Sequence, residues 1–196
     1  KRGELEIAKY YFALVVECFD SGAEERELHN TSNSALSMLV FSGLFNNIGC
    51  LQYIDGNITS AIENFAKALE IGKNAPLRQT CGNYKKKMIQ GYKHVGTIYY
   101  NIGVINAWLG FKDEVIRPLE RSLGYQKVAL GENHPDIAIV QHNIGAVLVG
   151  AGHLDDAMNA FLESLRIIRF VNGNDEYQVA KELFHVGKVH EMKGEY

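Results

Sequence analysis

Cysteine is scarce in this chain of 196 residues, which holds three, Cys18, Cys50 and Cys81. The set is odd in number and unpatterned, and each member sits among helical or small polar residues. That excludes a disulfide framework and points to a reducing, cytoplasmic compartment. Long apolar runs are also missing. None approaches the roughly 18 residues a membrane span requires, so no membrane partner is expected. Nor is there an excess of one charge. A net charge of −3 and a pI near 6.2 give no general attraction to phosphate, so nucleic acid is not expected either. The opening "KRGELEIAKYY" does not have the pattern of a signal peptide. The abrupt start reads as a piece cut from a longer protein.

Catalytic signatures are absent as well. The sequence has no Gly-rich loop ending in Lys-Ser or Lys-Thr, no Gly-x-Ser-x-Gly, no His-Glu-x-x-His and no Cys-x-x-Cys. Neither an enzyme nor a cofactor is expected. Of the seven histidines, His185 and His190 are five apart on one predicted helix, which does not place both rings on one face. His142 and His185 are placed to approach each other from adjacent helices. With no cysteine or carboxylate expected to join them, they read as groove-lining polar side chains rather than a metal site.

What the chain does have is apolar material, 46% of its residues against 22% charged, enough for a sizeable core. It also has a recurring tripeptide. Asn-Ile-Gly occurs at Asn47-Ile48-Gly49, Asn101-Ile102-Gly103 and Asn143-Ile144-Gly145, with the variant His185-Val186-Gly187. Seven residues beyond each glycine stands another, at Gly56, Gly110, Gly152 and Gly194. Ala61, Val115 and Ala157 follow in frame, then Phe65, Leu119 and Phe161, then Ala68, Ser122 and Ser164. Gly3, Ala8, Phe12 and Val15 repeat the same offsets at the start, and the second glycines are spaced 53, 54, 42 and 42 residues apart.

Both halves of this unit carry apolar residues at helical spacing, so it predicts a helix, a turn at the second glycine and a second helix. A glycine inside a helix costs roughly 1 kcal/mol relative to alanine. Its recurrence in one frame is explained if Gly49, Gly103 and Gly145 lie where the second helix packs closest, with Ser122 at the matching small site. Gly110 stops its helix, and Asp155 and Asp156 suit the positive end of the next. His134-Pro135-Asp136 opens another first helix with proline in its first turn. "FVNGNDEYQVA" does the same one period later. Two longer connections, Asp20 to Ser34 and Gly72 to Lys87, absorb the extra residues of the 53- and 54-residue spacings. The basic "NYKKKMIQ" in the second reads as a solvated helix start rather than a binding patch.

These residues resemble the tetratricopeptide repeat family. An aromatic, then a large aliphatic and Gly, then Ala-x3-Phe is met by Phe45-x2-Ile48-Gly49 with Ala61-x3-Phe65, and in part by Tyr99-x2-Ile102-Gly103. Gln141 and Leu183 take the aromatic place in the later repeats, and Asp20, Lys73, Lys127 and Arg169 stand where the family often has a closing proline. The 42-residue spacing and "LGENHPDIA" are similar to the kinesin light chain type of this repeat, and the extra length is expected in the second helices. The resemblance implies an all-α, right-handed solenoid of antiparallel hairpins. One such domain would span residues 1–196, with three full repeats at about 35–72, 88–128 and 135–170. Half repeats would flank them at 1–19, a second helix only, and 177–196, a first helix only.

In stacked hairpins the first helices line a concave surface. The positions expected there are Asn46, Asn47, Cys50 and Tyr53; Tyr100, Asn101, Val104, Ala107 and Trp108; His142, Asn143, Ala146 and Val149; and Phe184, His185, Lys188 and Glu191. Trp108 is expected to plug the hairpin interior, with a ligand wall as the alternative. An amide both donates and accepts, so Asn47, Asn101 and Asn143 are able to clamp the backbone of an extended peptide. The resemblance implies that role for them. The alternative is that they bond across to a neighbouring helix and fix repeat geometry. With Asn46, Tyr53, Tyr100, His142, His185 and Lys188 they form the candidate partner-binding set.

The leading function is therefore a protein-interaction module holding an extended peptide or short helix of another protein. The competing one is an architectural subunit of a larger complex that uses its convex face and long loops. Catalysis would have to come from parts of a longer chain, and RNA reading lacks a basic stripe along the first helices.

Overall fold

The computed structural model describes residues 31–75, 84–173 and 176–195. The half repeat expected over residues 1–19, with Gly3, Ala8, Phe12 and Val15, lies outside them, as do Cys18, Cys81, most of the first long connection and half of the second. Among the described residues the chain is all-α, with seven α-helices and one 3-10 turn. They are α1 (Thr31–Ile54), α2 (Ile58–Asn74), α3 (Tyr84–Leu109), the 3-10 turn Lys112–Glu114, α4 (Ile116–Leu130), α5 (Pro135–Ala151), α6 (Leu154–Asn172) and α7 (Glu176–Lys193). The chain divides into two compact units, residues 1–98 and 99–196.

In the first unit α1 and α2 form an antiparallel hairpin. Ala61, Phe65, Ala68 and Gly72 recur at i, i+4, i+7 and i+11 on α2 and are all buried, the stripe that an amphipathic helix turns to its partner. A Cβ added at Gly49 would lie 3.0 Å from the Phe65 ring, so α1 carries glycine where α2 sets an aromatic edge against it. Higher in the hairpin, buried Ser42 Oγ donates to the Ala68 carbonyl at 2.6 Å.

The second unit repeats this contact twice. A Cβ at Gly103 would lie 2.6 Å from Leu119 Cδ2, and one at Gly145 would lie 2.8 Å from Phe161 Cε1. In all three hairpins the partner stands sixteen residues after the glycine. The small residues three further on are wholly buried too, Ala68, Ser122 and Ser164 each at 0% exposure. Ser164 Oγ donates to the Ala138 carbonyl at 2.9 Å, the site of the Ser42 to Ala68 bond with serine and alanine exchanged between helices. Val115, Leu119, Ile144, Leu148, Phe161 and Val189 form one core cluster, and Ile137, Ala138, Ile167 and Ile168 another.

The turns follow a shorter rhythm than the repeat. Positive φ occurs at Gly110, Gly131, Gly152, Gly173 and Gly194, one glycine every 21 residues, closing first and second helices alternately. Gly152, at φ 85° and ψ 10°, caps α5 in the left-handed conformation that only glycine enters without strain. At the other end of α5, His134 Nδ1 accepts from the Asp136 N–H at 3.1 Å and Pro135 takes the first helical position.

The extra length does not sit only in the second helices. α6 has 19 residues but α4 only 15, because Pro118 cannot tolerate an α-helical carbonyl four residues earlier. The chain there forms the 3-10 turn Lys112–Glu114 instead, and the freed Glu114 carbonyl accepts from Asn106 Nδ2 at 2.9 Å. The residues of the 53- and 54-residue spacings lengthen the first helices. α1 and α3 start eighteen and nineteen residues before their packing glycines, against ten and eleven for α5 and α7. The basic cluster falls at the start of α3, with the side chains of residues 84–87 outside the described set.

Candidate functional site

Helix geometry sorts the expected binding residues into two classes. At 3.6 residues per turn, a residue two before the packing glycine points about 160° away from the hairpin contact, whereas one three before points only about 60° away. Asn47 and Asn143, two before, are exposed, and Asn101 is half-buried. Asn46, three before, is buried at 6% exposure and donates from Nδ2 to Asn47 Oδ1 at 3.4 Å. Tyr100, also three before, is half-buried against the core cluster, and burial pushes its phenol above the usual range. Tyr53 and Cys50 are half-buried, and burial raises the Cys50 thiol pKa.

Trp108 corrects the reading that placed it inside the hairpin. It is 61% exposed, because five residues after Gly103 the helix has turned about 140° from the packing face. Lys188 and Glu191 are exposed and paired at 2.9 Å, one turn apart and cancelling each other's charge.

His142 and His185 do meet, with ring centroids 4.7 Å apart and edge to face. His185 also stacks on Phe161 at 5.1 Å. Burial, and then the neighbouring His142, hold the His185 pKa below its ordinary value. The expectation that no carboxylate joins them is overturned. Glu182 on α7, 3% exposed, brings Oε1 to 2.9 Å from His142 Nδ1, although Nδ1 makes no aligned hydrogen bond and Glu182 Oε2 has no partner. The sequence carried a signal for this residue. Glu182, Val186 and Val189 stand at i, i+4 and i+7, which puts a carboxylate on the stripe that α7 buries. Among the described residues no group of three or more histidine, cysteine or acidic side chains is arranged to hold a metal. No helix among them is long and apolar enough to cross a membrane.

These elements bear on what the chain is similar to. Residues 94–169 match the family model described as tetratricopeptide repeat, the stretch that holds the Gly103 and Gly145 hairpins. The crystal structure of BtubC (BKLC) from P. vanneervenii superposes with a TM-score of 0.61 at 18% sequence identity, over 97% of this chain and 80% of that one. At that identity the likeness speaks to fold alone. No curated protein matches the chain. The matches show tetratricopeptide repeats over residues 94–169, within a chain whose fold is that of an all-α helical-repeat protein.

Proposed function

We propose that the chain is a protein-interaction module that holds an extended segment of a partner protein against the exposed side of its first helices. The coarser part of this reading, a role in protein–protein contact or scaffolding, follows from the repeat family. The finer part is carried by one observation: Asn47 and Asn143 occupy the same register position in separate hairpins and both are exposed. Asparagine is a mediocre helix former, and an exposed amide at mid-helix stabilises neither the helix nor the core. It does offer a donor and an acceptor at the spacing of a peptide backbone. Tyr53 lies on the same first helix as Asn47 in the first unit, and Tyr100, Asn101, His185 and Lys188 lie on first helices of the second unit, as Asn143 does; each supplies contact area and polarity within its own unit.

The test replaces Asn101 and Asn143 together with alanine in the full chain used as bait. A partner retained by the unaltered chain is lost from N101A/N143A while the thermal melt shifts by less than about 4 °C, as expected for one exposed and one half-buried amide that together cost no more than ~1 kcal/mol. Retention of that partner at undiminished yield, or a melt that collapses, would show the amides to be structural.

A further inference from the structure

Within the second unit, α5, α6 and α7 line an open pocket of about 370 Å³. Its walls are largely apolar, with Ile139, Ile168 and Val171 among them, and Glu182 lies on its lining. That carboxylate is 3% exposed and its Oε2 has no partner. A buried carboxylate oxygen without a donor, on a residue that lines a pocket, is a costly arrangement, relieved by a cation that reaches it once the side chain turns toward that pocket. The other charged or titratable groups around it are His142, 2.9 Å from Oε1, His185, which feels its charge, and Lys181 and the Tyr177 phenol, both exposed residues of the pocket lining. Asn143 lines the same pocket, so an exposed residue of the first-helix face and the buried Glu182 border one space.

We propose that this cavity receives one basic side chain, arginine or lysine, from the partner segment. Its methylene stem would lie along Ile139, Ile168 and Val171, and its cationic head would donate to Glu182 Oε2. An acidic side chain is repelled by Glu182, and an aliphatic or aromatic one would seal the carboxylate in without a donor. A guanidinium brings several donors in a plane and loses less hydration than an ammonium, so arginine is the better occupant. The proposal rests on the interaction-module reading above.

The experiment uses n-butylguanidinium and its neutral isostere n-butylurea as probes, titrated into the full isotope-labelled chain while methyl resonances are followed. The guanidinium saturably shifts Ile139, Ile168 and Val171 and binds at least tenfold more tightly than the urea. Glu182→Gln abolishes that preference. Equal binding of both probes, shifts scattered over the surface, or an unchanged preference in E182Q would overturn the proposal. Should E182Q fail to fold, Ile139→Lys places an ammonium at the cavity wall; it raises the melting temperature and blocks the guanidinium. An I139K chain that does neither overturns the proposal as well. The probes have no peptide backbone and do not depend on Asn101. Asn143 lines the pocket, so the comparison uses Asn101→Ala alone: probe binding that survives there while partner capture is weakened supports both readings. A captured partner with the guanidinium excluded sinks the cavity alone, and selective probe binding with capture indifferent to the asparagines supports the cavity while sinking the groove.

Discussion

The ring of Phe161 fills the space that a side chain on Gly145 would need. A Cβ there would approach three ring carbons at 2.8, 2.9 and 3.0 Å, and the ring has nowhere to retreat, being 1% exposed with His185 stacked on it and the edge of His142 beside it. Gly145→Ala therefore gains about 1 kcal/mol of helix propensity and loses about 1–3 kcal/mol to overpacking, a net loss on urea unfolding. Gly124, inside α4 with nothing within 4 Å of its Cβ direction, is the control. Gly124→Ala should stabilise by roughly 0.5–1 kcal/mol. Equal effects at both positions would deny that close approach explains the recurring glycine.

The serine at the crossing of α5 and α6 makes a second, independent prediction. Ser164 is wholly buried and its hydroxyl donates to the Ala138 carbonyl at 2.9 Å. Ser164→Ala removes one hydrogen bond and should cost about 1 kcal/mol. Ser164→Leu forces a large side chain between the helices and should cost about 3 kcal/mol or unfold the unit. A leucine tolerated as well as alanine would mean the crossing is looser than described.

Stability should fall in mild acid. Burial holds the His94 pKa below its ordinary value, offset in part by its contact with Ser42, and burial lowers His185 in the same direction. The unfolded chain takes up protons as pH drops through about 6.5, while the folded chain resists. Stability fully present above that pH is thus lost progressively below it, until the folded-state histidines are themselves protonated. Melting temperature measured between pH 7.5 and 5 should decline, with a shallower slope in His94→Gln. A variant whose profile overlays the original would remove His94 from the account.

The hairpins were legible because packing imposes a frame on the residues that touch. Gly49, Gly103 and Gly145, with Phe65, Leu119 and Phe161 sixteen residues on, repeat the same steric requirement, and local sequence records it. Turn glycines were legible at Gly56, Gly110, Gly152 and Gly194. Gly131 and Gly173 close second helices with the same positive φ, but no recurring tripeptide marks them. Pro118 shortened α4 through a clash one turn upstream, a local rule that the repeat pattern masked.

The candidate site was legible only in part. A stripe two and three residues before each glycine merges two directions on the helix that differ by about 100°. Asn143 at one of them reaches solvent, while at the other Asn46 is buried and His142 meets Glu182 and His185 of α7. Glu182 was missed because its meaning is tertiary: nothing within α7 shows that His142, forty residues earlier, would stand beside it.

Site-specific photo-crosslinking bears most directly on the claim that the first helices carry the partner. A photoreactive residue is placed in turn at positions 101 and 143 on the first helices, and at position 128 on α4, where Val128 is 66% exposed. The account predicts that the partner captured by the full chain becomes covalently attached from 101 and 143 and not from 128. Attachment from 128 alone, or equally from all three, would contradict it.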